Sequence, residues 1–248
     1  MFLRSQIRIY LLAIAFLIPA AGVFSQLTSN DSIAFTKSVN NALALYYQSA
    51  GDQSRLYNGT EYTGYPFSFA EGSPYFLSPG EQEGSIVYDD VKYEPVKLIY
   101  DEMMGVVILK DENHRIQLSS ERISRFMVGD HRFIRIALNG TGKLSPETGF
   151  YEILYEGKFS VFKKDLKTIR QVYSYSQEST RIIDEKIIYW FRKNNGYTRI
   201  EDQKEMLNFF GDRKKEIQHF IKSNKLSFKK DADNLLIKVA VYYDQQIK

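Results

Sequence analysis

The clearest pattern in the chain is a period of two. Val96, Leu98 and Tyr100 alternate with Lys97 and Ile99, and Ile134, Ile136 and Leu138 alternate with Arg135 and Ala137. Such alternation puts one set of side chains on a single face of a strand. Across residues 84–138 these runs are separated by Asp89-Asp90, residues 101–104, residues 111–113 and Gly129-Asp130. That is the turn chemistry and spacing of an antiparallel meander. Further on, Tyr151, Ile153 and Tyr155 share one face of another strand, and Glu156-Gly157 predicts a two-residue hairpin turn. Phe159 and Val161 return opposite them. Residues 167–175 and 186–193 predict two more strands, the second holding Trp190, and Asn194-Asn195-Gly196 turns the chain into a last strand at 197–200. About ten strands are expected.

A helical period marks the two ends. Asp31 can cap a helix through residue 49, with Ile33, Val39, Leu43, Tyr46 and Tyr47 as its apolar stripe and Gly51 as its stop. After residue 200, Asp202 with Glu205 three positions on forms a capping box, followed by Met206, Leu207 and Phe210. Asp212 is expected to cap a second helix with Ile217, Phe220 and Ile221 inward. A third starts near Asp231 and aligns Leu235, Leu236, Val239, Tyr242 and Tyr243. Short amphipathic helices must bury their stripes against something. The pattern predicts an α+β fold, predominantly antiparallel β: a meander forming a curved sheet, sandwich or partial barrel, with an N-terminal helix and about three C-terminal helices.

The first residues read as an address. Arg4 and Arg8 precede the apolar run 9–18, and Val23 and Ser25 stand at the −3 and −1 positions of a cleavage site before Gln26. This order is that of a secretory signal peptide, and the apolar run is short for a bilayer span. Three regions follow: a signal at 1–25, a body at 26–200 with the first helix and the sheet, and a helical tail at 201–248 packed on that body. The chain has no cysteine, which excludes a lipidated cysteine anchor, disulfides and cysteine-based catalysis or metal binding. An exported chain of this kind is expected to be bacterial, periplasmic or extracellular, with no transmembrane anchor after cleavage. The sequons at Asn30, Asn58 and Asn139 are then coincidental.

The formal net charge of +3 hides an asymmetry. Residues 27–162 carry 12 basic and 18 acidic side chains, net −6; residues 163–248 carry 19 and 12, net +7. Either the two regions dock, or a basic face is offered to an acidic partner, or a helical face is simply solvated. Nucleic acid is not an expected partner for an exported chain near neutrality.

Residues 55–80 stand apart from the alternating runs. Tyr57, Tyr62, Tyr65, Phe67, Phe69, Tyr75 and Phe76 fall among glycine, proline and serine, which argues against a long regular element. Two roles fit: covering an open end of the sheet, or presenting a binding surface. The residues singled out for recognition of an envelope partner or an apolar ligand are Tyr62, Tyr65, Phe67, Tyr75 and Phe76.

The pieces LYNGTEY, GFYEILYEG and FIKSNKLSFKKD resemble recurrent features of an uncharacterised family of exported bacterial proteins with a β-rich body and a short helical tail. The resemblance implies export and architecture. It transfers no catalytic residue.

Candidate chemistry is sparse. No Gly-x-Ser-x-Gly elbow, His-Glu-x-x-His helix or phosphate-binding glycine loop is present. Ser160-x-x-Lys163 lies in a predicted strand, where that spacing puts the two side chains on opposite faces, and Ser227-x-x-Lys230 has no companion motif. His114 and His131 follow acidic residues in turns and would hold a metal only if those turns converged; His219 lies beside a helical stripe. No metal or cofactor is expected. Two classes remain: a noncatalytic envelope protein that binds a partner or apolar ligand, and an envelope hydrolase whose carboxylates and histidines meet only in the fold.

Overall fold

The computed structural model describes residue 56 and residues 58–111, 114–137, 145–173, 179–194 and 196–246, with Ser38, Val39 and Ala42. Those last three are helical; the rest of the leader and of the expected first helix lies outside the described residues. Everything described from Leu56 onward belongs to one compact unit.

Its frame is an open antiparallel sheet. The strands are β1 (Thr60–Glu61), β2 (Gln82–Tyr88), β3 (Val91–Asp101), β4 (Val106–Asp111), β5 (His114–Gln117), β6 (Ile123–Val128), β7 (His131–Ile136), β8 (Gly149–Glu156), β9 (Ser160–Tyr173), β10 (Ser179–Lys193) and β11 (Gly196–Ile200). They lie in the order β1-β5-β4-β3-β2-β6-β7-β8-β9-β10-β11. The chain thus runs outward from β2 to β5, returns past Ser120–Arg122, and starts again on the other side of β2. From β6 to β11 each strand pairs with the next.

One row of residues explains the layering. Tyr93, Ile86, Phe126, Phe133, Glu152, Lys163, Tyr189 and Ile200 are successive cross-strand partners. Cross-strand partners share a face, so these eight define the front of the sheet. The row is apolar at both ends and charged in the middle.

The β2–β8 end of the front face is buried by aromatic rings. Phe126 and Phe133 stack with centroids 4.7 Å apart, and Tyr100, Phe150 and Phe76 meet them edge-on. Close strand approach needs Gly84: a Cβ there would stand 1.9 Å from the Met127 carbonyl oxygen of β6, beside a bulge in β2. On the back face Tyr151, Ile153, Phe162 and Trp190 form a second cluster. Tyr155, expected beside Tyr151 and Ile153, packs instead with the front-face cluster, because a bulge between Ile153 and Tyr155 shifts the alternation. The β8–β9 turn also differs from expectation. Glu156 pairs with Ser160, leaving a three-residue loop closed by a Gly157 N–H to Phe159 carbonyl bond of 3.0 Å.

The β9–β11 end of the front face is covered by three helices: α1 (Gln203–Phe209), α2 (Lys214–Ser223) and α3 (Ala232–Gln246). The capping box forms as the spacing predicts: the Glu205 amide donates to Asp202 Oδ1 at 2.8 Å, and Glu205 Oε2 accepts from the Glu201 amide at 2.6 Å. Asp231 caps α3 through the Asn234 amide at 3.0 Å. The second helix departs from expectation, since it starts at Lys214 behind the single 3-10 turn Gly211–Arg213. Met206, Leu207, Ile217, Ile221, Leu235, Leu236 and Val239 are all buried, against Val161, Phe191 and Ile200 of the sheet and Phe159 of the β8–β9 loop. The tail is pinned at its far end as well. Asp244 Oδ2 accepts from the Tyr155 hydroxyl at 2.7 Å and the Lys158 amide at 2.8 Å, and a Cβ on Gly157 would lie 2.0 Å from that oxygen.

Candidate functional site

The aromatic segment 58–80 contains no regular element beyond β1, as its glycines and prolines imply, and it serves both faces of the sheet. Tyr62 is buried on the back with Ile99, Val106 and Ile108, and Tyr75 packs against the same group. Phe76 is buried on the front, edge-on to His131 and Phe133 with centroids 4.9 and 5.0 Å away. Between these anchors the backbone joins two distant strands. The Phe76 amide donates to the Tyr100 carbonyl of β3, while Ala70 and Glu71 exchange hydrogen bonds with Arg181 and Ile183 of β10.

Asp101 fixes this strap from beneath. Its carboxylate is fully buried and accepts from the Tyr62 hydroxyl at 2.7 Å, the Tyr65 hydroxyl at 2.8 Å and the Met104 amide at 2.9 Å. A buried carboxylate without donors is costly, and three donors satisfy it. Burial, then hydrogen bonding to Tyr75 and Asp101, raises the Tyr62 phenol well above its ordinary range; burial and Asp101 do the same for Tyr65. Neither hydroxyl ionises at physiological pH, so both act as donors.

Of the five residues selected from sequence, Tyr62 and Phe76 are therefore core, and Tyr65, Phe67 and Tyr75 are partly exposed. The structure adds Phe69. Tyr65, Phe67 and Phe69 form a mutually packed triad, with centroid separations of 6.0, 5.2 and 5.5 Å, and the Arg181 guanidinium sits 4.3 Å above the Phe67 ring. Their spacing at every second residue could have singled them out in the sequence.

The charged centre of the front row is the second concentration of chemistry. His131 Nδ1 lies 2.5 Å from Glu152 Oε1, and Lys163 Nζ lies 3.7 Å from Glu152 Oε2, 3.9 Å from Asp165 and 2.9 Å from Asp233 of α3. The Tyr189 hydroxyl donates to the other Asp233 oxygen at 2.6 Å. Burial pulls the Lys163 ammonium down, but its hydrogen bond to Asp233 and the surrounding carboxylates outweigh that and hold it above the ordinary lysine range. Burial raises the Asp165 carboxyl against the pull of Lys163. One strand turn away, Lys167 pairs with Glu102 at 2.8 Å and donates to the Ser73 and Tyr75 carbonyls, tying the strap to β9. The space beside Glu152, Lys163 and Asp165 is about 10 Å³, room for about one water. This grouping joins sheet to helix and offers no substrate cleft.

His114 and His131 do not converge. His114 starts β5 and His131 starts β7, with four strands between theirs. No metal-binding group of histidines and acids occurs among the described residues. Ser160 and Lys163 point to opposite faces, as strand geometry requires; Ser160 accepts from Arg192 at 3.3 Å. Among the described residues no helix is long and apolar enough to cross a membrane. No protein-family model, no curated protein and no solved structure matches the chain.

Proposed function

We propose that the chain is an exported, noncatalytic envelope or periplasmic protein that recognises a protein partner through the Tyr65–Phe67–Phe69 surface. The observation that carries this reading is the triad itself. Phe67 and Phe69 lie partly exposed beside Tyr65 on a segment that Tyr62, Tyr65, Tyr75 and Phe76 already anchor. Aromatic side chains with an overlying arginine provide large contact area at small entropic cost, the composition of binding hot spots. A loop surface without enclosure suits the side chains of a protein better than a small apolar ligand, which needs a pocket. Export is supported by the basic, apolar and small-residue order of residues 1–25.

The test compares three forms exported from a bacterial host: the parent, Phe67→Ser with Phe69→Ser, and Tyr62→Phe. Each is used to capture proteins from envelope extract and is melted in urea, and its N-terminus is determined. The exported chain should begin at Gln26. The double substitution should abolish capture of a partner held by the parent while costing less than about 1 kcal/mol of stability. Tyr62→Phe, which leaves Asp101 short of a donor, should cost about 1–3 kcal/mol and keep the partner. Equal capture by the parent and the double variant would overturn the recognition role. A chain retaining residues 1–18 would overturn export by cleavage.

A further inference from the structure

The distal half of β9 is an open edge. On one side β8 pairs with β9 only from Ser160 to Lys163, whereas on the other β10 pairs with it as far as Tyr173. Among the described residues, 168–173 therefore have a neighbouring strand on one side only. The far side of this ribbon is closed. Ala70 and Glu71 of the strap bond to Arg181 and Ile183 of β10, and a Cβ on Gly72 would stand 2.8 Å from that of Ile183. Cross-strand register puts Ile169, Gln171 and Tyr173 on the front face with Ile183 and Arg181. Ile183 is buried under the strap, but its partner Ile169 is 43 % exposed. Tyr173, 72 % exposed, is the most exposed large apolar residue described.

An edge strand offers a row of backbone donors and acceptors to any other strand, and folds blunt it with free charges, prolines or bulges. Residues 168–173 hold no proline and run in unbroken register with β10. Their one charged side chain, Arg170, is already held by Asp184 through bonds of 2.7 and 3.0 Å. The order of residues along the edge decides its occupant. Antiparallel pairing with its own copy about Gln171 sets Ile169 opposite Tyr173 twice on the front face, and Arg170 opposite Val172 twice on the back. Aromatic and β-branched side chains are favourable cross-strand partners. Centring one residue earlier would set the two Arg170 guanidinium groups against each other, and like charges directly opposite destabilise a pair. Centring on Ile169 would set Tyr173 opposite the part-buried Asp165 carboxyl. Charge and polarity thus select one register. We infer that two copies of this chain join their sheets edge to edge, β9 against β9, antiparallel and centred on Gln171. The contact is isologous, so it closes at a dimer. It uses neither Phe67 nor Phe69 and stands apart from partner recognition by the triad.

Sedimentation velocity of the full exported chain tests association, and cysteine cross-linking tests the register. The parent should be a dimer at about 100 μM and dissociate on dilution to about 1 μM. Ile169→Lys and Tyr173→Lys should each weaken the dimer by at least about tenfold. Both side chains are exposed, so a urea melt of the dilute variants checks that the fold is kept. The chain has no cysteine, so a single introduced one reports its own neighbour. In the proposed register the two copies of residue 171 stand directly opposite, with Cα atoms roughly 4.5–5.5 Å apart, within disulfide reach. Gln171→Cys should therefore oxidise to a linked dimer. Lys186→Cys, exposed on the other face of β10, should not. Phe67→Ser with Phe69→Ser should leave the dimer intact, which separates failure here from failure of partner recognition. The inference is overturned if the parent remains monomeric at about 100 μM, if the folded lysine variants associate as the parent does, or if Gln171→Cys links no faster than Lys186→Cys.

Discussion

The two ends of the sheet bury the same face by different means. From β2 to β8 the front is closed by rings from the sheet itself and from the strap, with Phe126, Phe133, Tyr100, Phe150 and Phe76 packed on one another. From β9 to β11 it is closed by helices that follow the sheet in sequence. The contacts of the first end are mostly between neighbouring strands, and those of the second bring residues 203–246 back onto β8–β11. Where the two regimes meet, the row is polar: Glu152 approaches His131 and Lys163, and Lys163 reaches Asp165 and, from the helical cover, Asp233 of α3. A sheet can thus stay continuous across a change of cover, provided the polar groups between find ion-pair and hydrogen-bond partners.

The comparison is broken most severely by removing one cover. Deleting residues 202–248 exposes Phe159, Val161, Phe191 and Ile200, each burial contributing roughly 1.5–3 kcal/mol for a large side chain. The truncated chain should aggregate or lose its cooperative melt by urea and light scattering. A monomeric chain with an unchanged transition would make the tail an independent module. Next in size is a cavity in the other cover: Phe126→Ala should cost about 3–5 kcal/mol in a urea melt. A cost below about 1 kcal/mol would mean that the ring cluster does not support this end.

The smallest effect sharpens the view of the middle. The Asp165 carboxyl is raised by burial, so its proton is held more tightly in the folded chain than in the unfolded one. Its contribution is present below the unfolded value of about 3.9 and is lost as pH rises through the folded value. Asp165→Asn removes that loss, so over the pH window that opens at about pH 4 the parent should lose stability relative to the variant. Urea melts across that window check it, and parallel curves would show that Asp165 ionises as freely folded as unfolded.

Much of this architecture is legible in the chain. The period of two located the strands, and the helical tail was visible because Met206, Ile217, Leu235 and Val239 recur at helical spacing behind acidic caps. Two features were hidden for physical reasons. Lys163, Asp165 and Lys167 alternate with Phe162, Lys164 and Leu166, so the charged positions read as the solvated face of a strand, and β9 and β10 looked shorter than their 14 and 15 residues. In the fold they share a face with Val161, partly buried, because partners from β8, α3 and the β3–β4 turn reach them. No local pattern announces partners so far away in sequence. The aromatic strap was legible as a cluster, but dividing it into anchors and surface required Asp101. The bulges in β2 and β8, which reset alternation, leave only Gly84 as a local trace.

The central claim is that the ring-covered and helix-covered ends form one cooperative unit through the Glu152–Lys163 step. It is tested most directly by native-state hydrogen exchange in increasing urea, comparing the amides of β6 and β7 with those of β10, alongside the fluorescence of Trp190, the only tryptophan. Phe126 and Phe133 report the first end, and Phe191 with Trp190 the second. The account predicts that the most protected amides of both ends open with the same free energy and urea dependence, coincident with the Trp190 transition. Two distinct opening energies, with one end exchanging while the other stays protected, would contradict it.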